Sequence, residues 1–285
     1  MSGRSIRRFD TLILYRQRQC SYRHTSSVNC DIPRDSFISR QHSFIFEDHM
    51  KPDGLFITGT DTDVGKTWVT SLIARELHKT QRVGVYKPAC SGSEPNSQGE
   101  PTWPDVDALH ASIGHQYSID MICPQRFRDP LAPPVAARNE SRTIDQQLLR
   151  TGCRSWDDKV DVLLVEGIGG LLCPVTDNEN IADLVADIGY PLLIVARAGL
   201  GTINHTLMTI EVAQNRSLPI AGIVLNQCTP ASDQATPTNP DEIANRTNVP
   251  VLGVVEYEAI SLRTPDRTGT IDWRSLMHPP IEATT

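Results

Sequence analysis

The segment Phe56 to Thr67, FITGTDTDVGKT, constrains this chain more tightly than any other. It runs from a short β-branched apolar stretch, through a glycine-containing turn, into a helical pattern that opens with Lys66 and Thr67. A strand that stops and a helix that starts within so few residues leaves backbone N–H groups without helical partners, and such groups converge on phosphate oxygens. Lys66 is then placed to reach β- and γ-phosphates, and the Thr67 hydroxyl to ligate Mg²⁺. The spelling departs from G-x-x-x-x-G-K-[ST], because five residues separate Gly59 from Gly65 and Thr60 stands at the expected glycine. A plain βα turn with a lysine at its helix start is the bland alternative, and the strand-loop-helix context favours the phosphate reading.

Composition narrows the partners. The chain has 285 residues and a formal net charge of −7. Residues 1–50 hold eight Arg and no Lys against five acidic residues, a balance of +3, which leaves −10 on the remainder. An acidic body of that size repels a nucleic-acid backbone. No apolar run approaches the ~20 residues of a membrane helix. The seven cysteines, Cys20, Cys30, Cys90, Cys123, Cys153, Cys173 and Cys228, are scattered and form no C-x-x-C pair or metal-spaced cluster. They read as reduced thiols of an intracellular protein.

Residues 1–49 are rich in Arg, Ser and Gln and show no sustained periodicity, so they are expected to be a disordered or non-native extension to a single domain spanning 50–285. A cytoplasmic enzyme beginning near Met50 is the first expectation for location, and a mitochondrial one the alternative if the extension is a targeting peptide. From Leu55 onward, short apolar runs alternate with helical patterns, the mark of βα units and a mostly parallel sheet. The spacing predicts strands at Leu55 to Thr58, Val83 to Tyr86, Val160 to Val165, Pro191 to Ala196, Ile220 to Leu225 and Val251 to Val255. Helices are predicted over Thr67 to His78 and Ile203 to Ala213, and a surface loop over Thr229 to Asp241.

Three further features carry chemistry. VGVYKPACSGS delivers Lys87 to the carboxyl end of the sheet, where ligands of open α/β folds bind, although a lone strand-end lysine is more often simply solvated. VDVLLVEGIGG stops its apolar run at Glu166, a carboxylate suited to Mg²⁺ or, equally, to capping loop amides. Asp107, within DVDALH, is either a second Mg²⁺ ligand or an acid complementing a helix dipole. Both lysines are expected at exposed strand ends.

Taken together, GTDTDVGKT, YKPACSGS, the Asp107 region, VEGIGGLLCPV, GLGTINHTLMTIEVA and AGIVLNQCTP resemble, in order and spacing, the dethiobiotin synthetase family over roughly Met50 to Val255. The resemblance implies a P-loop NTPase-type three-layer α/β fold with a mostly parallel, helix-covered sheet. It also implies a homodimer with interface active sites, and an ATP-dependent ligase of biotin biosynthesis that takes 7,8-diaminononanoate and CO₂ or bicarbonate with Mg²⁺. Carried onto this chain, Lys66 and Lys87 would be catalytic, and Asp63, Val64, Gly65, Lys66, Thr67 and Asn226 would hold the nucleotide, Asn226 at its base. Thr67, Asp107 and Glu166 would surround Mg²⁺. Thr62 and Ser91 would lie beside substrate, and Gly201, Thr202, Ile203 and Asn204 would receive the diamine's carboxylate from the partner subunit. Two positions depart from the family's usual pattern: Asp63 replaces a glutamate, and Glu256 stands where a proline is frequent. A cobyrinic or cobyric acid synthetase-like amidoligase fits less well, since only about thirty residues follow Val255 where such enzymes carry an amidotransferase domain. A partition-type switch ATPase would show a second lysine early in the loop, where this chain has Asp61 and Asp63.

Overall fold

Apolar runs without alternation become the strands. In the computed structural model, β1 (Asp53–Gly59) is buried along all but its first residue, and β3 (Val162–Gly170) along most of its length. With β2 (Val83–Tyr86), β4 (Leu192–Arg197), β5 (Ile220–Asn226) and β6 (Val251–Val255), they form one six-stranded sheet in the order β6-β5-β4-β1-β3-β2. Every pairing in it is parallel, in keeping with the mostly parallel sheet expected. The described residues are 50–230, 233–262, 264 and 270–278, and the extension expected over residues 1–49 lies outside them.

Both faces of the sheet are covered, which is why the strands can be apolar on consecutive residues. In β4 and β5, Ile194, Ala196, Ile223 and Leu225 enter one apolar cluster, while the intervening Val195 and Val224 enter the other. Period-two side-chain alternation thus feeds two separate helix layers. Helix α1 (Lys66–Leu77) packs on β1, β2 and β3 and against α2 (Pro104–Ser112). The smaller elements α3 (Ile119–Ile122), α4 (Pro133–Asn139) and α5 (Gln146–Arg154) follow before β3. After it come α6 (Ile181–Ile188), α7 (Thr202–Asn215), α8 (Asn239–Ala244) and α9 (Trp273–Leu276). Cys90–Ser91 pairs with Arg126–Phe127 beside the main sheet, and Glu94–Pro95 pairs with Pro101–Thr102 in a short antiparallel ribbon.

Two differences from the sequence reading have clear causes. Strand β3 does not stop at Glu166: it continues through the glycines to Gly170, because β1 stays alongside it and, after a register shift, pairs Gly59 with Gly170. The polar stretch predicted as loop through Asp241 turns helical at Asn239, with a proline at the start of the helix where no N–H is needed. The topology then decides where chemistry can occur. From β1 the chain moves outward to the edge strand β2, and from β3 it crosses to β4 on the other side. The carboxyl ends of β1 and β3 therefore flank a crevice at the point where strand order reverses.

Candidate active site

The loop between β1 and α1 sits at that crevice with the shape of an anion cradle. Asp63 and Gly65 adopt left-handed backbone angles, φ 57 and φ 85. Gly65 is required there twice over, since a Cβ would also fall 2.0 Å from Asn226 Nδ2. Among the described residues, the amides of Asp63, Val64, Gly65, Lys66 and Thr67 donate to no protein acceptor. Successive unpaired N–H groups ahead of a helix form a concave positive site.

Lys66 and Lys87 are buried, at 8% and 3% relative exposure, which overturns the expectation of exposed strand-end lysines. The Lys66 ammonium folds back over the loop and donates to the Asp61 carbonyl at 3.1 Å. Burial lowers its pKa, with the Glu166 carboxylate opposing that trend. The Lys87 ammonium lies 2.6 Å from Asp105 Oδ2 and 2.6 Å from Glu166 Oε1. Burial alone would neutralise it, and these two carboxylates hold its pKa well above the ordinary lysine value. Asp105 in turn is held below the usual carboxylate range, because the Lys87 ammonium outweighs its own desolvation.

Glu166 is the buried centre of the group, at 0% exposure. Its Oε1 accepts from the Thr67 hydroxyl at 2.7 Å as well as from Lys87, while its Oε2 is buried without a hydrogen-bond partner. Two carboxylates and a hydroxyl at the foot of a phosphate cradle, one carboxylate oxygen left unsatisfied, are the donor set a hard dication such as Mg²⁺ takes.

Asp105, not Asp107, supplies the second carboxylate. The two are separated by about 200° around a helix at ~100° per residue, so only one can face the cleft. Both aspartates are exposed on α2, but only Asp105 reaches Lys87 and lines the cleft, while the Asp107 N–H bonds to the Trp103 carbonyl at 3.0 Å. Asp105 was missed because DVD offers two acids and only the position of the first turn of α2 discriminates between them. A cleft of 680 Å³ opens above this group, and Thr62, Asp63, Ser91 and Cys173 line it together with the phosphate loop. Val64 is buried, its carbonyl accepting at 3.0 Å from the side-chain amide of Asn226. Asn226, read in the sequence as a base contact, is thus first a brace of the loop.

Gly201, Thr202, Ile203 and Asn204 do not line this cleft. They form the start of α7, with Gly201 at φ 90 and no side chain capping the helix. Among the described residues, the amides of Ile203 and Asn204 have no acceptor.

With this geometry in view, the kinship is clear. A sequence profile described as an AAA domain matches residues 53–263. The ATP-dependent dethiobiotin synthetase BioD of Anaeromyxobacter sp. (strain Fw109-5) is 47% identical over 195 residues, 68% of this chain and 85% of that protein. The BioD enzymes of Anaeromyxobacter dehalogenans (strain 2CP-C) and Bacillus subtilis (strain 168) are 42% and 38% identical, and cover 76% and 70% of this chain and 96% and 86% of their own lengths. Wholly parallel sheet, loop, paired lysines and these identities agree: the chain belongs to the family of ATP-dependent dethiobiotin synthetases.

Proposed function

We propose that this chain closes the cyclic urea of dethiobiotin from 7,8-diaminononanoate, CO₂ and ATP. The observation that carries the reading is the buried Lys87 between Glu166 and Asp105, a short reach from a phosphate cradle and open to one cleft. One amine of the diamine captures CO₂ as a carbamate, releasing a proton. A carbamate oxygen attacks the γ-phosphorus, ADP departs, and a carbamic–phosphoric anhydride results. The neighbouring amine then attacks the carbonyl carbon, phosphate leaves and the ring closes.

Each step gathers anionic oxygen, and the chain meets it with fixed cations and amides rather than with a covalent nucleophile. Amides 63–67 and Lys66 hold the polyphosphate, while Lys87 is placed for the carbamate and transferring phosphoryl oxygens. Thr67, Asp105 and Glu166 would hold Mg²⁺, which supplies neutralisation of the phosphate charge when bound. Thr62 and Ser91 line the substrate side, and Asn226 braces the loop near the base. The uncapped start of α7, Gly201 to Asn204, offers amides for the diamine's carboxylate, delivered to the partner's cleft in a homodimer. The exposed Leu200 just before that helix and Met208 within it are supporting surface for such an interface. The cytoplasm is the proposed compartment: among the described residues no helix is long and apolar enough to cross a membrane, and the described cysteines are free thiols.

The test is incubation of the full chain with diaminononanoate, labelled bicarbonate and Mg-ATP. Label should enter acid-stable dethiobiotin with one ADP formed per product. Nucleotide hydrolysis that ignores the diamine would overturn the proposal.

A further inference from the structure

A loop that binds an anion through its amides turns its carbonyls the other way, where side-chain donors can hold them. The carbonyl accounting around this loop is specific. Asp61 accepts from Lys66 Nζ at 3.1 Å, Thr62 from Arg197 Nη2 at 3.1 Å, and Val64 from Asn226 Nδ2 at 3.0 Å. The second and third donors are related by the sheet itself. Arg197 ends β4, Asn226 ends β5, and the two are register partners across the ladder. Adjacent strand ends thus present side chains to two carbonyls of one loop, two residues apart.

Arg197 is the unassigned member of this set. Lys66 belongs to the phosphate-loop motif and Asn226 to the strand-end motif, whereas nothing in the motif reading singles out Arg197. Its side chain is exposed, and among the described residues it pairs with no carboxylate. An exposed arginine free to hydrate instead spends a guanidinium N–H on a loop carbonyl, while Asp61 and Asp63 lie in that same loop.

We propose that Arg197 is a positioning residue for the nucleotide phosphates: by holding the Thr62 carbonyl outward it keeps the amides of Asp63 to Thr67 turned toward a nucleoside di- or triphosphate. It acts through the loop backbone, so its signature is phosphate affinity rather than the rate of the chemical steps. This inference needs the loop to bind nucleotide and does not need the ring-closing reaction.

The experiment is calorimetric titration of the full chain with Mg-ADP, together with steady-state kinetics in ATP, for wild type, Arg197→Met and Arg197→Lys. Loss of one exposed charged donor predicts a ~5–10-fold rise in the ADP dissociation constant and in KM for ATP for Arg197→Met. The same variant should keep kcat within about two-fold. Arg197→Lys, which keeps a cationic donor, should recover most of the affinity. An unchanged ADP affinity in Arg197→Met, a loss confined to kcat, or no recovery with lysine would each overturn the assignment. Wild-type protein that binds Mg-ADP yet forms no dethiobiotin would sink the ring-closing proposal while leaving this one standing.

Discussion

Glu166 sits at 0% exposure with a lysine on one oxygen and nothing on the other, so the two lysines of the site are not equivalent under mutation. Lys66→Ala removes a cation from a phosphate cradle and should lower turnover ~10²–10³-fold, with the fold retained. Lys87→Ala should lose turnover over a similar range and also destabilise the protein by about 3–5 kcal/mol, because it strands a buried carboxylate. Circular dichroism melts beside turnover assays separate the two, and equal melting temperatures for both variants would contradict the buried-pair argument. The acids of α2 allow a sharper comparison. Asp105→Asn and Glu166→Gln should raise the Mg²⁺ concentration needed for half-maximal activity several-fold, each exchanging a charged oxygen for a neutral one. Asp107→Asn, on the far side of the helix, should shift the same titration little. A reversed ranking of the two aspartates would show that α2 is rotated in the working enzyme.

Among the elements, α9 is tied to the start of β1 by charge. Arg274 Nη2 lies 2.6 Å from Asp53 Oδ2, and His278 Nε2 lies 3.1 Å from Asp53 Oδ1. The Arg274 hydrogen bond, working against burial and helped by His278, holds the Asp53 carboxyl below its usual range. A depressed acid contributes stability above its unfolded pKa, ~3.9, and loses it as pH falls through the folded value. Asp53→Asn should therefore cost up to ~1 kcal/mol near pH 6 and less than that near pH 3. Thermal melts of both proteins at the two pH values give the difference directly, and a gap that widens toward acid would refute the sign. Several of the helices were hidden for a related reason. Short helices such as α4 (Pro133–Asn139) lack the length over which an apolar stripe becomes visible. Helix α6 did carry a readable signal, the capping box in which Asn180 accepts from the Asp183 amide and Asp183 accepts from the Asn180 amide.

At the scale of the molecule, binding energy and folding energy are linked through the crevice beside β1. A ligand that binds only the folded chain adds about 2.7 kcal/mol at one hundred times its dissociation constant. For a domain of this size that corresponds to roughly 5–10 °C in melting temperature. Mg-ADP at such a concentration should produce that rise, and adenosine, which lacks phosphates, should produce far less. Equal shifts from the two would mean that the base pocket, not the loop, dominates nucleotide affinity.

What is local could be read along the chain: that Phe56 to Thr67 is a strand, a phosphate turn and a helix start, and that the six apolar runs are strands of a covered, mostly parallel sheet. Those features depend on spacing along the chain and on side-chain chemistry, and both can be read in one dimension. Packing in three dimensions settled which strand ends meet. It set Glu166 behind Lys87 and Thr67, chose Asp105 over Asp107, buried both lysines, and brought Arg197 and Asn226 to two carbonyls of a loop more than a hundred residues before them. The physical reason is that strand order is set by how crossovers pack, and a helix rotation of two residues decides which acid faces the cleft. Neither quantity leaves a trace in local composition.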